Sequence, residues 1–258
     1  MTPEIVHHYC PIEAFDSITR NRILWFSSAL YMNDPSELEL VIKQLKGIQR
    51  QKGLVKELAP AIEVLNADRL NALICSFSEN GDILGQWRAY GADGKGYSIG
   101  FDAQAIHELL NQRFGELVYK LPVKYGDNRL ESYVESELQD LLEGQITPQD
   151  FAFAMRLSNV LHKHACYAEE RELRFMLLNV KEEGQESKLP IDYRFSKNRL
   201  IPFYPFDFPS EFKGRPLMAQ VTIGPTNLTD PEVLKTYLAK LGFTGVEVKK
   251  SELPYRGR

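Results

Sequence analysis

The sequence has few of the features that mark secreted, membrane-spanning or zinc-stabilised proteins. Its 258 residues include three cysteines, Cys10, Cys75 and Cys166, and none of them forms a CxxC pair. So few and so widely spaced cysteines indicate free thiols in a reducing compartment rather than a disulfide framework or a structural zinc site. No apolar run approaches the roughly 18 residues of a membrane helix, and the N-terminal segment lacks a signal-peptide pattern. We therefore expect a cytoplasmic protein with no membrane partner.

An excess of positive charge is also absent. The chain has 31 Lys and Arg against 35 Asp and Glu, for a formal net charge of −4. This balance argues against a general nucleic-acid coat or a membrane-surface binder, although it leaves room for a local basic cleft. Internal repeats, low-complexity stretches and linkers rich in Gly, Ser or Pro are missing as well. With 43% hydrophobic and 26% charged residues, the composition predicts one globular domain over residues 1–258.

Helical and strand patterns follow each other without a regular βαβ rhythm, which predicts an α+β fold. The expected strands cover residues 5–9, 23–27, 72–78, 97–101, 117–125, 170–180, 189–195, 199–204, 217–223 and 246–250. The expected helices cover residues 11–19, 54–65, 82–90 and 128–142, with three more that begin at the caps Asp34, Thr147 and Asp230. Each of these caps precedes a proline at the first helical position. The helix after Thr147 is expected to end near Glu169.

The first candidate for chemistry is a pair of carboxylates beside an arginine. Alternate side chains of a strand share a face, so Glu170, Glu172 and Arg174 are expected to line up. Neighbouring carboxylates can shift each other's pKa, bind a cation or hold substrate hydroxyls. The alternative is a structural cluster of Glu–Arg pairs on a solvated face.

Two further segments could contact a polar ligand. Ser76 and Ser78 lie on one face of the expected strand 72–78, where paired hydroxyls can orient a ribose. Neither is an activated nucleophile, because no G-x-S-x-G turn surrounds them. His8, beside Tyr9, could hydrogen-bond a ligand or transfer protons. The plain alternatives are a strand that ends in polar residues and a structural histidine.

The glycine-rich loop 91–96 is a weaker candidate. Its three glycines allow backbone N–H groups to turn toward an anion, and Lys95 adds a positive charge. The loop matches neither the phosphate-binding pattern of nucleotide hydrolases nor that of dinucleotide-binding folds. A helix-to-strand turn explains it more simply.

The order of these separated motifs resembles a widespread bacterial family that is defined only as a domain of unknown function. The resemblance runs through nearly the whole chain. Its motifs are His8-Tyr9, Asn33-Asp34-Pro35, Ser76-Phe77-Ser78, Gln86-Trp87-x-x-Tyr90, Gly94-Lys95-Gly96, Glu170-x-Glu172-x-Arg174, Ile223-Gly224-Pro225, Val248-Lys249-Lys250-Ser251 and Pro254-Tyr255-Arg256. By itself this family implies no particular chemistry.

A histidine on an early strand, a central S-x-S strand and a late E-x-E strand are also similar, more distantly, to the signature of ADP-ribosyltransferases. This resemblance implies a mixed, split β-sheet with flanking helices and a cleft that binds NAD as a substrate. His8 would contact a ribose, and Ser76 or Ser78 would shape the cleft. Glu172 would be the catalytic residue that stabilises the oxocarbenium-like transition state, and Glu170 would orient the acceptor.

The expected NAD contacts also include Tyr9, Trp87 and Arg174. Arg174, with Lys95 or Arg88, would offset the charge of the pyrophosphate. No metal ion is expected. The acceptor is undefined and could be a protein, a nucleic acid or a small molecule. A role in toxicity or defence would fit a bacterial transferase.

Two other functions remain open at the level of sequence. One is a metal-dependent hydrolase or nuclease that binds Mg²⁺ or Mn²⁺ through Asp82, Glu170, Glu172 and His8. The other is a module that binds a nucleotide in the same cleft without turnover. Dependence on a divalent metal would indicate the first, and NAD binding without nicotinamide release would indicate the second.

Overall fold

A computed structural model describes residues 4–31, 40–67, 72–178, 189–196 and 198–256. The helices are α1 (Ile12–Asn21), α2 (Leu40–Lys52), α3 (Val55–Ala67), α4 (Leu84–Ala89), α5 (Ala103–Phe114), α6 (Asp127–Leu142), α7 (Pro148–Leu161) and α8 (Pro231–Lys240). The strands are β1 (Ile5–Cys10), β2 (Ile23–Ser28), β3 (Ala72–Ser78), β4 (Tyr97–Asp102), β5 (Val118–Pro122), β6 (Lys124–Tyr125), β7 (His162–Lys163), β8 (Glu172–Leu178), β9 (Asp192–Ser196), β10 (Arg199–Asp207), β11 (Glu211–Phe212), β12 (Arg215–Pro216), β13 (Met218–Ile223) and β14 (Glu247–Lys250).

Within these residues, ten strands form one mixed sheet. Its order is β14-β13-β4-β1-β3-β2-β10-β9, and β5 and β8 branch from β3. Strands β13 and β14 run parallel, and the other pairs of this sheet are antiparallel. The expectation of an α+β fold built on a mixed sheet is thus confirmed. No helix of the described segments is long and apolar enough to span a bilayer.

Strand β3 is where the sheet divides. Strand β8 pairs with β3 along its whole length, from Ala72↔Leu178 to Ser78↔Glu172. Strands β1 and β2 must therefore share the opposite edge of β3. β1 meets it only at Ser78, and β2 meets it only at Leu73 and Ile74. Between these contacts, around Ser76, this edge of β3 pairs with neither strand and borders a gap between β1 and β2.

Three hydrophobic clusters hold the helices against this sheet. The largest lies on the face of β3 that carries Cys75 and Phe77, and helices α1, α5 and α8 contribute to it. A smaller cluster on the opposite face joins Ile74 and Met176 to Val160 of α7. A third cluster is formed by helices α2, α3, α6 and α7 among themselves. Helix α7 thus joins the helical group to the face of the sheet that carries Ser76.

Several predicted element boundaries are confirmed. The strand 72–78 has the expected ends, and the cap of α7 is a full capping box in which the side chains and backbones of Thr147 and Asp150 bond reciprocally. Asp230 caps α8 by accepting hydrogen bonds from the backbone N–H groups of Glu232 and Val233. The predicted Asp34 cap, with the Asn33-Asp34-Pro35 motif and Glu37, lies outside the described residues.

The boundaries between residues 161 and 172 are corrected by the structure. Helix α7 ends at Leu161 rather than near Glu169, because His162 and Lys163 adopt an extended backbone and pair with β6. A 3-10 turn, Ala165–Glu170, follows. Strand β8 then begins at Glu172 rather than at Glu170, since Arg171 has a left-handed backbone with φ of 44° that breaks the alternation.

Candidate functional site

A cavity of about 370 Å³ occupies the gap between β1 and β2. This volume is within the range of small-molecule sites, which is about 300–1,000 Å³. Its wall includes His8 of β1, Trp25 and Ser27 of β2, Ser76 of β3, and a group of charged residues from further along the chain: Lys163, Glu170, Glu172 and Arg194. The division of the sheet at β3 therefore creates a polar cavity in which the sequence-predicted residues His8, Ser76, Glu170 and Glu172 meet.

His8 bridges the gap to the free edge of β3. Its Nδ1 lies 3.1 Å from the carbonyl oxygen of Ser76. Because a carbonyl can only accept, Nδ1 carries the proton and Nε2 of the neutral ring is an acceptor. Burial lowers the pKa of His8, and the hydrogen bond to Ser76 opposes this shift only in part. A neutral His8 therefore offers its Nε2 lone pair to a ligand hydroxyl at neutral pH.

Glu172 is the most strongly bonded carboxylate of the cavity wall. Arg174 donates to it from Nε at 2.7 Å and from Nη2 at 3.1 Å, and the ammonium of Lys163 lies 2.7 Å from Oε2. Burial alone would raise the pKa of Glu172, but the charges and hydrogen bonds of Arg174 and Lys163 outweigh it and lower the pKa to about 2. Glu172 is therefore ionised throughout the physiological range.

Glu170 lies beside Glu172 through a turn rather than through strand alternation. It ends the 3-10 turn before β8, and Lys163 joins the two carboxylates by donating to Glu170 Oε2 at 2.8 Å. Ser78 fixes the backbone here, because its hydroxyl donates to the carbonyl of Glu170 at 2.7 Å. The expectation that Glu170, Glu172 and Arg174 share one strand face is thus wrong for Glu170 and right for the other two.

Arg174 and Ser78, both predicted to contact NAD, are engaged in the framework. Arg174 has no exposed surface, and its guanidinium holds Glu172 and the carbonyl oxygen of Val160. Ser78 is only 2% exposed, and its hydroxyl also accepts a hydrogen bond from the backbone N–H of Asn80. Both side chains thus hold the Glu172 wall in position.

Tyr9 and Trp87, the predicted aromatic contacts, pack edge to face against each other with ring centroids 4.8 Å apart. The hydroxyl of Tyr9 donates to the carbonyl of Asn80 and accepts from the backbone N–H of Ile83. Trp87 is fully buried, and its indole N–H donates to Asp82 at 2.7 Å. Tyr9 lines the cavity, whereas Trp87 supports it from behind.

Asp82, proposed as a metal ligand in the hydrolase alternative, anchors the C-terminal segment instead. Its carboxylate accepts hydrogen bonds from Trp87, from the hydroxyl of Ser251 and from the backbone N–H of Glu252. Within the described parts of the chain, no three His, Cys, Asp or Glu side chains lie where they could hold a metal ion.

The glycine-rich loop 91–96 is a framework turn. Gly224 and Thr226 donate their backbone N–H groups to the carbonyls of Gly96 and Gly94, and the amide of Asn227 donates to the carbonyl of Lys95 at 2.6 Å. The motifs Gly94-Lys95-Gly96 and Ile223-Gly224-Pro225 therefore contact each other. Their glycines allow a close approach of two backbones, which explains the motifs without an anion.

Two charged residues of the cavity wall, Lys163 and Arg194, are absent from the sequence-based candidates. Lys163 could not be identified, since the expected helix to Glu169 would place it in a helix interior. Arg194 lies in the expected strand 189–195 beside aromatic residues, and that alternation of Arg with aromatics was an available signal. In the structure, the guanidinium carbon of Arg194 lies 5.1 Å from the ring centroid of Trp25.

Comparison with known proteins identifies one family. Residues 86–175 match the family model described as a protein of unknown function (DUF2971). The matched segment includes the Gln86-Trp87-x-x-Tyr90 and Glu170-x-Glu172-x-Arg174 motifs and covers about a third of the chain. No curated protein and no solved structure matches the chain. The match supports the expected resemblance to an uncharacterised family, and the distant similarity to ADP-ribosyltransferases stays a prediction.

Proposed function

We propose that this chain binds NAD in the cavity between β1 and β2 and transfers its ADP-ribose group to an acceptor. The observation that carries the proposal is the division of the sheet at β3. It brings His8, Ser76 and Glu172, which belong to three separate strands, onto the wall of one cavity of about 370 Å³. The distant sequence resemblance implies the same three residues around NAD.

The proposed step breaks the bond between the ribose C1′ and the nicotinamide nitrogen. The bonding electrons leave with nicotinamide, and C1′ becomes an oxocarbenium ion. The acceptor then forms a bond to C1′ and loses a proton, so that the products are ADP-ribosylated acceptor, nicotinamide and H⁺. Where the acceptor is water, the product is free ADP-ribose.

Glu172 has the charge that this step requires. A fixed carboxylate beside a developing cation stabilises it more than solvent does, because no reorganisation is needed during the reaction. The pKa of about 2 keeps Glu172 ionised at neutral pH. Glu170 shares Lys163 with Glu172 and lies on the same wall, where it would orient the acceptor and receive its proton.

One observation favours a second candidate, a module that binds the nucleotide without turnover. Both oxygens of Glu172 already bond to cations, Arg174 at Oε1 and Oε2 and Lys163 at Oε2. These cations reduce the negative potential that Glu172 projects into the cavity. A ligand could then be held by His8 and Ser76 while the glycosidic bond stays intact.

The test is to incubate the purified chain with NAD, to measure nicotinamide release by chromatography and to measure NAD binding by calorimetry. Glu172→Gln and Glu170→Gln form a matched pair, because each removes one carboxylate charge from the same wall. Glu172→Gln is expected to abolish nicotinamide release while NAD binding persists. Glu170→Gln is expected to keep release to water and to lose transfer to an acceptor.

Glu172→Gln also leaves the buried Arg174 without its carboxylate and Lys163 with Glu170 alone, so circular dichroism must first show that the variant is folded. If it is not, Glu172→Asp provides the second test, since it keeps the charge and withdraws it from the cavity. NAD binding without nicotinamide release in the wild-type chain would select the binding module. The absence of NAD binding would reject both candidates.

A further inference from the structure

Two arginines lie on the side of the cavity formed by β2 and its neighbouring strands, and neither has a carboxylate partner among the described residues. Arg194 lines the cavity, and Arg199 lies outside the lining. Arg194 of β9 donates from Nη2 to the hydroxyl of Ser27 at 3.2 Å and covers the ring of Trp25. Arg199 of β10 donates from Nη2 to the carbonyl of Tyr31 at 3.1 Å and lies over the Tyr31 ring at 5.9 Å. The strand register Arg199↔Ser196 places both arginines on one face of the hairpin.

The charge of these arginines is not neutralised by the described residues around them. No salt bridge joins either one to a described carboxylate. Asp192 lies on the same face, but its Oδ1 accepts the backbone N–H of Tyr193 at 2.7 Å. Nε of Arg194 is buried and has no hydrogen-bond partner among the described residues. Burial and the charge of Arg199 both lower the pKa of Arg194, as expected for two cations that lack an anion between them.

The opposite wall has a different character. There Lys163 is shared by two carboxylates at 2.8 and 2.7 Å, so its charge is fully compensated. Among the described residues that line the cavity, Arg194 thus has a buried Nε donor without a partner, which is available to a ligand. Trp25 and Tyr31 contact the two guanidinium groups with their rings, which holds these groups in place without neutralising their charge.

We propose that Arg194, with Arg199 behind Tyr31, forms a subsite for the diphosphate of a dinucleotide. The inference rests on the proposed function for the identity of the whole ligand, NAD. The chemistry of the subsite is independent of it. The guanidinium of Arg194 can bind phosphate oxygens in a bidentate manner, and the charge of Arg199 adds to the positive potential at this wall. The buried Nε of Arg194 would gain the partner that it lacks.

The experiment measures the affinity of three probes by calorimetry: NAD, ADP-ribose and nicotinamide riboside. ADP-ribose keeps the diphosphate and lacks nicotinamide, whereas nicotinamide riboside lacks any phosphate. The variants are Arg194→Gln and Arg199→Gln. Lys235→Gln is the control, because it removes one positive charge from an exposed i,i+3 pair on α8 that is not part of the cavity wall.

Arg194→Gln is expected to lower the affinity for NAD and for ADP-ribose by about 30-fold, the size typical of a lost hydrogen bond between charged groups. Arg199→Gln is expected to lower these two affinities by about fivefold, because Arg199 lies behind Tyr31 and acts on the ligand mainly through its charge. Nicotinamide riboside should bind equally well to all forms, and Lys235→Gln should behave as the wild-type chain. Thermal unfolding of each variant shows whether it is folded. If Arg194→Gln is unfolded, Arg194→Lys replaces it in the test. This variant keeps the charge but cannot bind phosphate in a bidentate manner, so its affinity for NAD and ADP-ribose is expected to fall by about tenfold.

The outcomes separate this inference from the proposed function. Binding of ADP-ribose that depends on Arg194, without nicotinamide release from NAD, supports the subsite and rejects the transferase. Nicotinamide release with affinities that do not change in Arg194→Gln and Arg199→Gln supports the transferase and overturns the subsite. Equal losses of affinity for nicotinamide riboside and for ADP-ribose would also overturn the subsite, because the arginines would then affect the shape of the whole cavity rather than a phosphate.

Discussion

Arg174 and Glu172 project from the same face of β8, and the guanidinium of Arg174 holds both oxygens of the Glu172 carboxylate, at 2.7 and 3.1 Å. Arg174 has no exposed surface and Glu172 is 7% exposed. Each of these buried charges is stabilised by the other, since an isolated buried charge is costly. The pair therefore has a structural task in the cavity wall whatever chemistry Glu172 performs.

The first prediction concerns the removal of Arg174. Arg174→Met is expected to lower the free energy of unfolding by about 3–5 kcal/mol, because it breaks a buried ion pair and leaves Glu172 with Lys163 alone. The measurement is urea unfolding at neutral pH. Lys52→Met is the control, since it breaks an exposed pair with Glu135. It should cost less than about 1 kcal/mol. Equal effects of the two changes would contradict a buried network.

The second prediction concerns acid stability. The pKa of Glu172 is about 2 in the folded chain, against an ordinary value of 4.5. A carboxylate with a lowered folded pKa contributes stability that is present above pH 4.5 and lost as the pH falls toward 2. Protonation of Glu172 alone should lower the free energy of unfolding by about 2 kcal/mol between about pH 5 and about pH 3. The measurement compares the pH dependence of unfolding in the wild-type chain and in Glu172→Gln, which should show the shallower slope. Parallel slopes would contradict the lowered pKa.

The sequence predicts those parts of the fold that depend on local patterns. The strand 72–78 has the expected ends, because a run of apolar and β-branched residues stops at the turn Asn80-Gly81. The end of α7 could not be predicted in this way. Its apolar pattern continues past Leu161, and what ends the helix is the pairing of His162 with Lys124, a contact between distant residues. Helix α5 is absent from the sequence-based elements, although Asp102 provides a cap by accepting the backbone N–H of Ala105 at 2.9 Å.

The candidate site is predictable to the same extent. His8, Ser76 and Glu172 can be selected as polar residues on strands, but only the division of the sheet at β3 shows that they line one cavity. Lys163 becomes a partner of Glu172 only because β7 replaces the end of a helix. Long-range pairing thus decides which charges compensate each other, and that information is not local in the sequence.

The third prediction concerns His7, the neighbour of His8. Burial, together with the charge of Lys249, lowers the pKa of His7 from 6.5 to about 4. The folded chain therefore resists protonation of this ring, and the stability that it contributes is present above pH 6.5 and lost as the pH falls toward 4. Between about pH 7 and about pH 5 the wild-type chain should lose about 2 kcal/mol from this group. His7→Asn should flatten the dependence over this interval, which unfolding by urea at the two pH values would show. A wild-type chain with constant stability over the interval would exclude the effect.

The fourth prediction tests the contact between the loop 91–96 and β1. A Cβ added at Gly96 would collide with the carbonyl oxygen of Cys10, which is backbone and has no room to rotate away. Gly96→Ala should therefore destabilise the chain by about 3 kcal/mol. Gly47→Ala is the matched control, because a Cβ at this position of α2 meets nothing within 4 Å. It should stabilise the chain by about 0.5–1 kcal/mol through helix propensity. Thermal unfolding measures both, and similar shifts would contradict the close approach at Gly96.

The fifth prediction separates the two nitrogens of His8. The side-chain amide of asparagine can replace Nδ1 as the donor to the Ser76 carbonyl, whereas nothing then occupies the position of Nε2. His8→Asn should therefore change the free energy of unfolding by less than about 1 kcal/mol and lower the affinity for NAD by about tenfold. His8→Gln, whose longer amide reaches the Nε2 position, should retain more of the NAD affinity and lose more stability. Calorimetry and urea unfolding provide the two readouts. Unchanged NAD affinity in both variants would show that His8 has only a structural role at the divided edge of β3.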